Sequence, residues 1–351
     1  MVIMKEFSKQ HIALYRKYRP ETFSDVVGQE QLVTLLESAI KQKKIAHAYL
    51  FCGSRGTGKT TVARIFARDI GCNPEDIIEI DAASNRGIDE IRELREAVRT
   101  APFSSPYKVY IVDEAHMLTG PAANALLKTL EEPPSHVVFI LATTDPDKLP
   151  QTIVSRCQKV IFKQPDIKTL TDRLTYVAEK EGKKLDEKAG ELLAHHGNGS
   201  YRDALGLLEQ ILAVSSKSIK EEDVVALLGT PDNELLLILL KSVCMKDAKK
   251  IFETCEELKR GSSSALNSYD AFLEMVRQGL IARIGEVKDS STVSTHVRQA
   301  GDDIAKLGKE YAYTINSKMI LELLEKRHFL EISDAHAWAA FMAIVLSMIE
   351  I

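Results

Sequence analysis

The segment Gly53-Ser54-Arg55-Gly56-Thr57-Gly58-Lys59-Thr60 constrains this chain more than any other. It fits G-x-x-x-x-G-K-[ST] at every fixed position, with an apolar strand candidate, Ala48 to Cys52, before it and an apolar-periodic helix, Val62 to Phe66, after it. A strand, a glycine-rich turn and a helix in that order aim backbone amides and the positive end of the helix at one anion. Residues Gly53, Ser54, Arg55, Gly56, Thr57 and Gly58 are thus candidates for cradling phosphates, with Thr61 completing the segment. Lys59 is expected to pair with β and γ phosphates, and the Thr60 hydroxyl to ligate Mg²⁺.

Three further strand candidates, Ile77 to Ile80, Lys108 to Val112 and Val137 to Ala142, are bounded by Gly, Pro, Asp or Ser and separated by stretches long enough for crossover helices. That pattern implies an α/β fold with a parallel sheet and helices on both faces. The third candidate runs into Asp113-Glu114, and ligands bind at the carboxyl edge of such sheets. Asp113 is expected to hold Mg²⁺ through water and Glu114 to orient an attacking water, which implies hydrolysis of a nucleoside triphosphate.

After Lys163-Gln164-Pro165 the strand signals stop. Three helices are expected between Asp166 and Val214, the third opening at Ser200 after the breaker Gly197-Asn198-Gly199, with Ser200 and Asp203 spaced as a capping box. The stretch around Gly229-Thr230-Pro231 reads as a linker. Glu234 to Met245 and Ser317 to Leu324 read as helices, and Gly261 to Ser264 and Asp289 to Ser291 as loops. The expected domains are 1–165, 166–228 and 229–351.

A length of 351 residues allows roughly two to three domains of about 150 residues. Lys plus Arg is 46 and Asp plus Glu is 50, so the net charge of 46 − 50 = −4 does not by itself advertise a nucleic-acid partner. Hydrophobic and charged fractions of 45% and 27% exclude a disordered chain, and 6% aromatic residues disfavour an all-β sandwich. The five cysteines form no CxxC pair, which points to a reducing, cytoplasmic setting without a thiolate zinc site. The N-terminal stretch has no uninterrupted apolar core, so no secretion signal is expected. Ala335 to Ile351 is too short for a membrane span of ~20 residues and reads as a buried helix.

Several runs together carry a family resemblance: Asp113-Glu114-Ala115-His116-Met117-Leu118, Asn124 through Pro134 (NALLKTLEEPP), Leu141-Ala142-Thr143-Thr144-Asp145-Pro146, and Ser155-Arg156-Cys157. With Tyr18-Arg19-Pro20, Val27-Gly28-Gln29 and the Gly199 to Leu205 segment, the chain resembles the gamma/tau subunits of the bacterial DNA polymerase III clamp loader, a branch of the AAA+ ATPases, over most of residues 15–228. The resemblance implies an AAA+ P-loop domain, a three-helix lid and an all-α collar. It implies a motor that uses ATP and Mg²⁺ to load a sliding clamp onto primed DNA. The implied partners are delta, delta-prime, further gamma/tau copies, the sliding clamp and primer-template DNA, with no membrane. It gives Thr144 as the polar sensor at its strand end, Arg202 as the second sensor acting in cis, and Arg156 as the arginine finger of a neighbouring subunit's site. Tyr18, Arg19, Pro20, Val26 and Val27 would line the adenine pocket.

Arg92, Arg95 and Arg99 share a helix face, preceded by Arg86, and by resemblance this helix and the one bearing Lys128 line a DNA channel. Candidate DNA contacts are Arg86, Arg92 and Lys128. Intrahelical pairs such as Asp89 with Arg92 and Glu96 with Arg99 are the alternative. The chain also departs from the family. Only Cys72 stands where relatives carry a four-cysteine zinc module, so no zinc is expected. Tyr201 replaces the usual Met or Leu, a change expected to be one of packing rather than chemistry. The chain stops at Ile351, after the expected collar, so a tau-type extension is expected to be missing. Two rival readings are a Holliday-junction branch-migration motor, which should end in a winged helix, and a non-catalytic stator like delta-prime. Intact Lys59, Thr60, Asp113 and Glu114 argue against the stator.

Overall fold

A computed structural model describes residues 12–84, 94, 96–215, 217–229, 231–261, 264–284, 301–331 and 334–349. The chain divides into two compact units, Met1–Glu181 with Leu193–Gln210, and Gly182–Leu192 with Ile211–Ile351.

The first unit is built on strands β1 (Ala48–Cys52), β2 (Ile77–Asp81), β3 (Lys108–Asp113), β4 (Val137–Thr143) and β5 (Gln158–Ile161), all parallel in the order β2-β3-β4-β1-β5. Every residue of β1 and β4 is buried, as a central strand covered on both faces requires. Side chains alternate between two cores. Tyr49 and Phe51 pack with Val62, Ile65 and Phe66 of the helix Lys59–Asp69, while Leu50 and Cys52 pack with Leu126 and Leu130 of the helix Gly120–Glu131. The register sets Cys52 beside Thr143 and Val112 beside Leu141, so β1, β3 and β4 end at one sheet edge.

The four expected strands are present, three of them one polar residue longer, through Asp81, Asp113 and Thr143. The fifth is an addition to them. Among the described residues β5 pairs only with β1, and it buries only Val160, so its sequence carries no two-faced apolar run. Strand signals also do not stop at Pro165, because Lys184–Leu185 (β6) and Ser218–Ile219 (β7) form a two-residue parallel pair.

Helices run over Ile167–Lys180, Glu187–His196 and Tyr201–Val214, as periodicity indicates. The capping box at Ser200 is half formed. Ser200 Oγ accepts from Asp203 N at 3.2 Å, whereas Ser200 N donates to Gly197 O at 2.8 Å. Between Cys72 and β2, the turn Pro74–Asp76 is stitched to the segment after Pro102. The Asp76 carboxylate accepts from Phe103 N at 2.6 Å and Ser104 N at 3.0 Å, and against the opposing effect of burial these amides hold its pKa below the usual range. Cys72 Sγ lies 3.1 Å from Tyr107 O.

The second unit packs its helices around Leu236, Leu240, Tyr269, Phe272 and Phe341. Tyr269 donates its hydroxyl to Leu323 O at 2.6 Å, and Arg327 makes a two-pronged pair with Asp270, both contacts at 2.8 Å. The helices Ala265–Ile284 and Gly301–Glu310 meet through backbone, since a Cβ on Gly308 would stand 2.0 Å from Gly279 O. The helix Asp334–Ser347 contributes Phe341, Ile344 and Val345 to this core, which explains its apolar composition. Among the described residues no helix is long and apolar enough to cross a membrane.

Candidate functional site

At the carboxyl edge of β1 and β3, a cavity of about 440 Å³ opens within the first unit. Its lining includes Arg55 through Thr61 on one side, Tyr18, Arg19, Pro20, Val26 and Val27 on another, and Asp113, Glu114 and Arg202. Segments that are far apart in sequence therefore meet at one site. Gly53 and Ser54 contribute through backbone, their carbonyls accepting from Lys59 Nζ at 2.8 and 2.9 Å.

The loop conformation depends on its glycines. Gly56 and Gly58 have φ of +75° and +101°, in the region that side chains disfavour. A Cβ on Gly56 would also lie 1.9 Å from Ser200 Oγ. Ser54 Oγ is buried without a hydrogen-bond partner, an orphaned donor inside the loop. Lys59 is only 5% exposed. Burial pulls its pKa down, Glu114 and Asp113 pull it back up, and Arg202 adds to the lowering. A buried ammonium that donates to two backbone carbonyls is poised to take an anion.

Thr60 Oγ1 donates to Asp113 Oδ2 at 2.7 Å, which places the two expected metal ligands side by side. Hydroxyl and carboxylate oxygens, next to an orphaned polar loop, fit a hard cation carried with a phosphate. Glu114 sits at φ +48°, ψ +44°, a left-handed conformation uncommon outside glycine. Its Oε2 accepts from Thr144 Oγ1 at 3.2 Å and lies 3.5 Å from His116 Nδ1, which itself is 3.0 Å from Thr143 Oγ1. Thr144 does not line the cavity but reaches it through Glu114.

Arg202 is exposed at the cavity, with its guanidinium 5.8 Å from the centre of the Tyr15 ring. Arg19 is another cation there. Burial and the like charges of Arg64, Arg202 and Arg16 push its pKa down, with Glu79 opposing. Arg156 is not among the lining residues. It donates to Thr152 O at 2.7 Å and pairs with Glu131 Oε1 at 2.8 Å. Lys128 is exposed on the helix Gly120–Glu131, whereas Arg86, Arg92 and Arg95 lie outside the described residues.

Tyr15, Asp81, Arg173 and Tyr201 also line the cavity, and sequence reasoning does not place them there. Arg173 donates to Tyr18 O at 2.6 Å and so holds the Tyr18-Arg19-Pro20 segment from a helix about 150 residues away. Of the four, only Tyr201 carries a sequence signal, as a departure from the family pattern. Beyond packing, the Tyr201 hydroxyl donates to Val27 O at 2.8 Å.

Comparison with known proteins gives two family matches. The DNA polymerase III delta subunit family matches residues 28–86 and 74–166, and the ATPase lid domain of DNA polymerase III clamp loader subunits matches residues 169–217. The chain is 45% identical to DNA polymerase III subunit tau of Bacillus subtilis over 267 residues, covering 70% of this chain and 47% of that protein. It is 33% identical to DNA polymerase III subunit gamma of Buchnera aphidicola from Schizaphis graminum over 366 residues, covering 96% and 98%. The chain thus spans about half the length of the tau proteins it matches. Among solved structures, the Thermotoga maritima RuvB Holliday junction branch migration motor superposes with a TM-score of 0.52 at 21% identity, covering 64% of this chain and 79% of that one. That likeness is one of fold.

Proposed function

This chain belongs to the DNA polymerase III gamma/tau family of clamp-loader subunits, and from that premise we propose that it is an ATP-hydrolysing motor subunit that loads a sliding clamp onto primed DNA in the cytoplasm. The observation that carries this reading is the pairing of Thr60 with Asp113 beside Lys59 and Glu114 in one cavity. A stator subunit has no need to keep all four together.

In this reading residues 1–165 bind nucleotide, 166–228 form the lid and 229–351 form the collar. The Tyr18-Arg19-Pro20 and Val26-Val27 segments take the adenine, and residues 53–61 take the phosphates. Thr60 and Asp113 hold Mg²⁺, which when bound neutralises charge on the phosphate oxygens. Lys59 leaves the carbonyls of Gly53 and Ser54 for the β and γ phosphates. Glu114, restrained by Thr144, orients the attacking water and draws on its proton as it reaches phosphorus. Arg202 reports the γ phosphate to the lid.

Arg156 completes a neighbouring subunit's site. Its absence from its own chain's cavity supports this role, and its pairing with Glu131 keeps the guanidinium at the protein surface until a neighbour presents a phosphate. Assembly with delta, delta-prime and further gamma/tau copies is part of this reading, since an arginine acting in trans needs a neighbouring subunit. DNA phosphates are contacted by Lys128, Arg86 and Arg92, which need charge but no base readout.

The test is ATP turnover by the assembled loader, with and without sliding clamp and primed DNA. The reading predicts hydrolysis stimulated by both together; a complex that assembles yet hydrolyses no ATP with this subunit present returns it to the stator class.

A further inference from the structure

Tyr201 opens the lid helix Tyr201–Val214 and touches both ends of the nucleotide cavity. Its backbone N donates to Gly56 O at 3.1 Å, at the phosphate loop. Its side-chain hydroxyl donates to Val27 O at 2.8 Å, in the segment assigned to the base. We propose that Tyr201 is a positioning residue for nucleotide selection, its phenol holding the Val26–Gly28 strip in the base-receiving conformation before a nucleotide arrives. The proposal rests on the reading of Val26 and Val27 as the base segment, and it adds a residue that this reading does not use.

Three observations support it. First, the strip has been shaped around the phenol. Gly28 has φ +74°, and a Cβ there would stand 3.0 Å from Tyr201 Oη and 3.2 Å from Thr169 Cγ2. Any other residue at position 28 would be strained by the positive φ and would crowd the hydroxyl and Thr169. Second, the hydroxyl is a dependable donor. Burial, aided by the charges of Glu30 and Asp166 and opposed by Arg173, pushes its pKa up to about 12, so it stays protonated at any physiological pH. Third, the next residue is Arg202, whose guanidinium lines the same cavity. The Tyr201 amide on Gly56 O, a backbone contact independent of the phenol, fixes where residue 202 begins.

The consequence is selective for ligands that carry a base. Without the hydroxyl, the strip must be ordered when the base binds, and the loss of one neutral hydrogen bond's worth of preorganisation weakens affinity by about three- to tenfold. A ligand with phosphates but no base engages the phosphate loop and Arg202, both placed by the Tyr201 backbone amide, which substitution of the side chain leaves in place.

Tyr201→Phe removes one oxygen and keeps the ring, so folding is preserved. Isothermal titration in the presence of Mg²⁺ compares ATP with inorganic tripolyphosphate on the full chain. The expected result is a loss of about three- to tenfold for ATP and a change of less than about twofold for tripolyphosphate, with Tyr201→Met behaving like Tyr201→Phe toward ATP. Unchanged ATP affinity in Tyr201→Phe overturns the proposal, and so does an equal loss for both ligands, which marks Tyr201 as a general brace of the lid. Val26→Trp, which fills the strip side of the cavity, separates this failure from that of the underlying reading. If Val26→Trp weakens ATP but Tyr201→Phe does not, the base segment stands and only the role of Tyr201 falls. If neither variant affects ATP, the base segment itself is misassigned, and the proposal falls with it.

Discussion

The nucleotide-binding unit and the helical unit that follows it are stabilised in different ways. In the first, buried strands such as β4 deliver polar residues at their ends, and each of Asp113, Thr143 and Thr144 sits one or two positions past an unbroken apolar run. In the second, polar contacts such as Tyr269 to Leu323 O and Arg327 to Asp270 link helices around an apolar core. Polar side chains therefore gather at strand ends, where a rigid sheet holds Asp113 and Thr144 half-buried and Thr143 buried at one edge. The helical unit spends its side chains on packing, and its substitutions should change stability without changing turnover.

The largest effect expected to sharpen that contrast is on Arg156. Arg156→Ala should leave ATP binding by the isolated subunit intact while lowering clamp- and DNA-stimulated hydrolysis by about 10³-fold or more. Mixing this variant with Lys59→Ala in one assembly should restore activity, because a Lys59-intact site then receives the neighbour's arginine. Activity no greater than that of the two variants separately, with co-assembly verified, makes Arg156 an internal structural residue paired with Glu131.

Next comes a packing residue. Phe341 is fully buried against Tyr269, Phe272 and Trp338. Phe341→Ala should destabilise the helical unit by about 3–5 kcal/mol in chemical denaturation. ATP affinity, measured at a denaturant concentration where the variant remains folded, should change by less than about twofold. A matching loss of ATP affinity would break the comparison.

The smallest effect is expected at the exposed pair. Arg327 and Asp270 are 36% and 42% exposed, so solvent screens their attraction. Arg327→Ala should change stability by about 1 kcal/mol or less, shrinking further in high salt. A larger, salt-independent loss would mean that the two-pronged geometry does more than surface pairs usually do.

What the sequence revealed follows the same division. Strands β1 to β4 are legible because residues buried on both faces give unbroken apolar runs. β5 is not, since Gln158 and Lys159 are exposed and only Val160 is buried. The Thr60–Asp113 pairing is legible because each residue sits in its own short motif. Arg173 on Tyr18 and Tyr201 on Val27 bridge about 150 residues or more, and no local spacing encodes such a contact. The half-formed capping box at Ser200 shows how a local rule yields to its neighbourhood: Gly197 O takes the Ser200 amide that the rule assigns to Asp203. In the helical unit, apolar periodicity marks helices such as Asn233–Met245 but gives no hint of which pack together, because Gly279 and Gly308 recognise each other only by the absence of side chains.

The central claim is that one cavity separates nucleotide binding from water activation, and Glu114→Gln tests it most directly. The substitution keeps the shape of the side chain beside Thr144 Oγ1 but removes the charge that orients water. Binding of ATP with Mg²⁺ and hydrolysis in the assembled loader are measured on the same preparation, with Lys59→Ala alongside. The account predicts near-normal ATP affinity with hydrolysis slowed at least about tenfold for Glu114→Gln, and weakened ATP binding itself for Lys59→Ala. Equal losses of ATP affinity in the two variants would contradict it.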